Sequence, residues 1–113
     1  MSQPLPVQNS DSRPVLPHLR ADLAAMPTPA PPWIAQALDA RARVGVERYG
    51  TALHTHNGRD AIQDLTEELL DALQYLAQAR LEGRVSMPIY LPCLAALCAV
   101  LATIKASQGG DHA

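Results

Sequence analysis

The stretch Asp60-Ala61-Ile62-Gln63-Asp64-Leu65-Thr66-Glu67-Glu68-Leu69-Leu70-Asp71-Ala72-Leu73-Gln74-Tyr75-Leu76 decides the fold. Ile62, Leu65, Leu69, Leu73 and Leu76 recur at every third or fourth position, the period of an α-helix with one apolar face. Asp60 suits the N-cap, and Gln63 stands where a capping-box partner reaches back. Gly83 supplies a stop. These signals predict a helix from about residue 60 to about residue 82. At 100° per residue, Asp64, Glu67, Glu68 and Asp71 share an arc of about 100° on the side away from the leucines.

Upstream, Pro32 to Tyr49 reads as another helix. Proline fits the first turn, and Gly50 fits the end. Ile34, Leu38, Ala42, Gly45 or Val46, and Tyr49 form its apolar stripe, while Asp39, Arg43 and Glu47 line another face. Between the two helices lies a polar loop with His54, His56 and the turn signal Asn57-Gly58. Because both flanks are helical rather than alternating, the loop is expected to join helices rather than strands. Downstream, residues 85–104 carry no charge. That length would span a bilayer. Pro88 and Pro92 are expected to shorten its helix to about 89–104, and Ala95, Ala96, Ala99 and Ala102 suit close packing. A soluble helix covered on most sides is the favoured reading, with no membrane contact.

Composition sets the limits. The chain has 113 residues, 48% of them hydrophobic, with no Phe and one Trp. A core of Leu, Ala, Val and Ile suits helices, so an all-α fold is expected. Eight of the ten prolines fall in the first 32 residues, which read as an extended, Pro-rich arm. The expected organisation is arm 1–32, helical domain 33–106 and polar tail 107–113. A helical unit of about 75 residues is marginal alone, and oligomerisation is a common remedy. A net charge of −2 gives none of the basic excess that binds nucleic-acid phosphates. Cys93 and Cys98, five apart on a helix, point in different directions and do not suit a local disulfide. No continuous apolar run opens the chain, so a reducing cytoplasm is the expected location.

The acidic face carries the chemistry. Asp64–Glu67, Asp64–Glu68, Glu67–Asp71 and Glu68–Asp71 are like-charge neighbours, and Asp60–Asp64 adds a fifth. Each pair costs about 0.2–0.5 kcal/mol. An ordinary solvated face would intersperse Lys or Arg, yet none of the four central carboxylates has a basic residue three or four positions away. A divalent cation resolves the conflict. Mg²⁺ takes carboxylate oxygens and leaves positions for water and substrate phosphate, with Mn²⁺ able to substitute. Glu47 is the extra ligand if the two helices are antiparallel neighbours; a surface pair with Arg43 is the equal alternative. Phosphate then calls for cations; in that antiparallel arrangement Arg59, Arg48 and Arg43 are expected near the acidic face, with Arg80 a more distant candidate. A metal would lower the pKa of a bound water. No P-loop or Rossmann glycine pattern is present.

The blocks Tyr49-Gly50-Thr51-Ala52-Leu53, Asn57-Gly58-Arg59-Asp60 and Asp64-Leu65-Thr66-Glu67-Glu68-Leu69-Leu70-Asp71, in that order, resemble phage MazG-like proteins. These are all-α nucleoside triphosphate pyrophosphohydrolases. The resemblance covers residues 33–80 and is nearest to the MazZ type, which acts on dGTP and dATP. It implies a MazG-like helical bundle completed by oligomerisation as a homodimer or homotetramer. It also implies Mg²⁺-dependent hydrolysis of a (deoxy)nucleoside triphosphate, a purine one by the MazZ likeness, to the monophosphate and pyrophosphate. A phage-encoded member would work in the host cytoplasm. The family's Glu-x-x-Asp maps to Glu68 and Asp71. Its earlier Glu-x-x-Glu is incomplete here, because Glu47 is flanked at three residues by Val44 and Gly50; Asp64 or Glu67 would make up the set.

The expected site therefore has Glu68, Asp71 and Arg59 as catalytic groups and Glu47, Asp64, Glu67, Glu68 and Asp71 as metal ligands. Trp33, Arg43, Tyr49, Asn57 and Arg59 would hold the nucleotide. Trp33 reads equally as a packing aromatic, and Asn57 as a residue that only shapes its turn. The alternative function is a non-enzymatic helical oligomerisation or interaction module with a Pro-rich arm.

Overall fold

The computed structural model describes residues 3–109, and its regular structure is helical. Four helices follow one another: α1 (Val15–Ala25), α2 (Pro32–Tyr49), α3 (Ala61–Leu81) and α4 (Met87–Gly109). The chain divides into two units, Met1–Arg59 with α1 and α2, and Asp60–Ala113 with α3 and α4.

In the first unit, α2 has the bounds its sequence predicts. Pro32 opens it, where a missing N–H costs nothing. Gly50 closes it at φ 76°, a left-handed conformation that glycine adopts without strain, and its N–H bonds to the Val46 carbonyl at 2.7 Å. Ile34, Leu38, Ala42 and Gly45 are half-buried, whereas Val46 and Tyr49 at the end of the expected stripe are exposed. Asp39 forms an ion pair with Arg20 of α1.

The extended arm expected over 1–32 is interrupted by α1. Its prolines are compatible with a helix because of where they stand. Pro14 is the N-cap and Pro17 lies in the first turn, where backbone N–H groups have no intrahelical acceptor. Residues 18–26 contain no proline, and Leu16, Leu19 and Leu23 are half-buried at helical spacing.

The second unit is a helical hairpin. The Asp60 carboxylate accepts the N–H groups of Ile62 at 3.0 Å and Gln63 at 3.1 Å, which satisfies two donors at the start of α3. At the other end Gly83 has φ 77°. The Arg84 N–H bonds to the Ala79 carbonyl at 2.8 Å, and the Gly83 N–H to the Arg80 carbonyl at 2.9 Å. This nested pair is a Schellman motif, which stops the helix and turns the chain back.

The α4 helix then packs antiparallel on α3. Tyr90, Leu94, Leu97, Leu101 and Ile104 are its half-buried stripe, and Leu69, Leu73 and Leu76 are half-buried on α3. Ile62 and Leu65, expected in that stripe, are 37% and 42% exposed. The helix starts earlier and ends later than expected. Pro88 sits in the first turn, and Pro92 lies inside the helix. Near the start, Pro92 forfeits only the bond to the Pro88 carbonyl, so the helix continues. Residues 107–109, expected in the polar tail, are the last of α4, and 110–113 lie outside the described residues.

No apolar side chain is buried among the described residues, and Asn57 alone is buried. The outer side of α4 is accordingly uncovered, including Pro92, Ala95, Ala99 and Ala102. By length and composition α4 is also long and apolar enough to cross a membrane.

Asp60→Ala removes both side-chain bonds at the start of α3. It is expected to lower unfolding free energy by about 1 kcal/mol, with Asp60→Asn largely retaining it. Urea unfolding followed by circular dichroism measures both.

Candidate functional site: the acidic face of α3 and the 51–59 loop

The carboxylate face follows from the winding of α3. Once Leu69, Leu73 and Leu76 turn toward α4, the 100° step carries Glu67, Glu68 and Asp71 to the opposite side. All three are exposed, and Asp64 is half-buried. Glu67, Glu68 and Asp71 have no ion-pair partner among the described residues. The like-charge conflict read from the sequence thus persists at these three positions. Among the described residues no three Asp, Glu, His or Cys side chains converge tightly enough for one metal ion. The carboxylates form a ladder along one helix rather than a closed cage.

The remaining expected site residues belong to the first unit. Glu47 and Arg43 are exposed on α2 and form no ion pair with each other. Tyr49 is 47% exposed, with the Arg48 guanidinium 5.4 Å from its ring centroid. Trp33, one residue into α2, is 65% exposed, so it is not a core aromatic of this chain. Stacking on a base remains open to it. Arg80, the more distant cation, lies with its guanidinium carbon 4.9 Å from the Tyr90 ring centroid, and its buried Nε has no hydrogen-bond partner.

Asn57 and Arg59 sit on a defined loop. His56 has φ 53° and Gly58 φ 84°, so the chain passes twice through the left-handed region within three residues. Asn57 reconciles the two. Its side-chain oxygen accepts the Arg59 N–H at 3.1 Å, an Asx turn formed by a buried amide. Asn57 therefore does shape the turn, one of the two roles its sequence suggests. His54, upstream in the loop, donates from Nδ1 to the Ala52 carbonyl at 2.7 Å.

Sequence reasoning missed the residues that support this loop. Residues 4–15 run beside it. The Val7 N–H bonds to the Asn57 carbonyl at 2.9 Å, the Thr55 N–H to the Arg13 carbonyl at 2.8 Å, and the Val15 N–H to the Leu53 carbonyl at 3.0 Å. These are backbone bonds, indifferent to side-chain identity, so no motif announces them. The only available signal is that Pro4, Pro6 and Pro14 hold this stretch extended, the conformation such pairing needs.

Neutralising one carboxylate tests whether the ladder is under strain. Glu67 is i+3 from Asp64 and i−4 from Asp71, so Glu67→Gln relieves two repulsive pairs. The variant is expected to gain about 0.4–1 kcal/mol in metal-free, low-salt buffer, and less in salt. Thermal melts in EDTA with and without added salt read this; an unchanged melt would mean the ladder carries no repulsion.

No protein-family model, no curated protein and no solved structure matches this chain.

Proposed function

We propose that the chain is an Mg²⁺-dependent pyrophosphohydrolase of (deoxy)nucleoside triphosphates, of the MazG-like all-α kind. It converts a purine substrate such as dGTP or dATP to the monophosphate and pyrophosphate. The observation that carries the reading is the face of Glu67, Glu68 and Asp71, exposed and without cationic partners among the described residues. The resemblance of residues 49–71 to the MazG-like motifs supports it.

The donor chemistry fits the metal: hard carboxylate oxygens in a helical ladder suit Mg²⁺. Glu68 and Asp71 would be the principal ligands, with Asp64, Glu67 and Glu47 available to complete the set. Since no three of these groups converge in the described chain, assembly is part of the proposal. A homodimer or homotetramer would cover the outer side of α4 and bring carboxylates of two copies together. When bound, the metal supplies positive charge for the phosphates and acidity for water.

The chain's own residues do the rest. Arg59 neutralises phosphate charge and orients the leaving pyrophosphate. Arg43 adds a second cation. Trp33 and Tyr49 offer aromatic faces to a base, and Asn57 fixes the turn from which Arg59 projects. Water adds to the α- or the β-phosphorus, the bond from that same phosphorus to the bridging oxygen breaks, the monophosphate and pyrophosphate separate, and the proton lost by the water passes to solvent. Catalysis is then chiefly positioning and charge stabilisation.

A second reading is a non-enzymatic helical interaction module. The uncovered outer side of α4 favours it, because such a surface asks for a partner whether or not there is chemistry.

Pyrophosphate release against a panel of dNTPs and NTPs separates the two. With Mg²⁺, release is expected, fastest with dGTP or dATP. EDTA is expected to abolish it, and Glu68→Gln to reduce it on the order of 100-fold or more. No release from any triphosphate at micromolar enzyme would leave the interaction module.

A further inference from the structure

Residues 4–15 do more than pass by the 51–59 loop; they complete it. At the β-bridge that places Pro14 opposite His54, proline has no N–H to give. The bonds run instead through its neighbours, Arg13 and Val15. The Arg13 N–H also donates to the Thr55 hydroxyl at 3.0 Å. Farther along, Gln8 donates from its amide to the Thr51 hydroxyl at 2.9 Å, and the Asn9 amide donates to the His56 carbonyl. Val7 packs its Cγ2 3.7 Å from where a Cβ on Gly58 would stand. Finally the Arg59 guanidinium donates from Nη1 to the Pro4 carbonyl at 2.6 Å.

Two features make this more than a docked tail. The loop's carbonyls at Leu53, His56 and Asn57 all find their donors on the arm. A loop with two left-handed residues keeps its shape only when its surroundings over-determine it. The arm also reaches past the loop backbone to the end of the Arg59 side chain. An arginine carries about 2 kcal/mol of rotamer freedom, which is lost when it must meet a phosphate. An arginine already oriented loses less.

We propose that residues 4–15 are a positioning strap for Arg59, holding the His56–Arg59 turn in shape and the guanidinium in the orientation that meets the triphosphate. The role rests on the pyrophosphohydrolase reading; the strap itself does not. Pro4 and Val7 act through Arg59 and touch no substrate.

The test compares the full chain, a chain lacking residues 1–8, and Val7→Pro, which keeps the arm and deletes the donor to Asn57 together with the Val7 side chain beside Gly58. The first readout needs no activity: the rate of tryptic cleavage after Arg59, relative to cleavage after Arg48 in the same digest. It is expected to rise at least about 10-fold on truncation and about 3-fold in Val7→Pro, the range of one or a few lost hydrogen bonds. The second is kinetic. Truncation is expected to raise KM for the triphosphate about 10-fold, with kcat changed about 2-fold or less, because a phosphate contact present in ground and transition states is weakened. In an Arg59→Ala background, truncation is expected to add nothing.

An unchanged tryptic ratio overturns the strap. A truncation effect that multiplies with Arg59→Ala overturns its action through Arg59. If neither the full nor the shortened chain releases pyrophosphate, the pyrophosphohydrolase reading fails, and with it the assignment to substrate. The strap then stands or falls on the tryptic ratio alone.

Discussion

A helix as apolar as α4 gains free energy wherever its surface is removed from water. α4 runs 23 residues with Lys105 as its only formal charge, and α3 covers only the stripe from Tyr90 to Ile104. A fully buried Leu or Ile side chain is worth about 1.5–3 kcal/mol, and none in the described chain is fully buried. The organisation of the hairpin follows from this unmet requirement. α3 gives its leucines to α4, and its carboxylates are thereby committed to the far side. The acidic ladder and the apolar helix are two outcomes of one division of α3 into faces.

Charge is divided along the chain as well. Up to Arg59 there are six basic and four acidic residues; from Asp60 onward there are three basic and seven acidic, so formal charges of +2 and −4 make up the net −2. The cations that a phosphate would seek stand mostly in the first unit, and the oxygens that a divalent cation would seek stand mostly in the second. An ordinary small domain intermixes the two signs to limit repulsion. Here the repulsion among Glu67, Glu68 and Asp71 is left in place, which is the condition under which a bound cation stabilises most.

Much of this was legible in the sequence, unevenly. Pro32 and Gly50 fixed α2 to the residue, because each acts through local backbone geometry that distant contacts rarely override. Asp60 and Gly83 placed α3 to within one residue at each end, and the leucine period placed the acidic face. The departures at α1 and at the start of α4 share one cause: proline acts by its place in a helix rather than by its number. Pro14 and Pro17 permit α1 because they precede its first hydrogen bonds, and Pro92 costs α4 a single bond. The arm–loop pairing was illegible for another reason. It is made largely of backbone N–H and C=O groups, which every sequence possesses. The burial of Asn57 depends on that pairing, so the choice between a turn-former and a ligand was not available from residues 57–60 alone.

The Schellman turn at Gly83 has a consequence in time. It joins α3 to α4 through five residues, so the hairpin closes from contacts that are near in sequence. Such local closure belongs to the fast end of folding, on the order of microseconds to milliseconds. Under the assembly proposed above, a second copy would reach the outer side of α4 by diffusion, at a rate set by its concentration. The hairpin would then form before that side is covered, with Cys93 and Cys98 exposed on it. The length of that interval would be set by the abundance of the chain rather than by anything within it, so under that proposal expression level would govern the balance between assembly and aggregation.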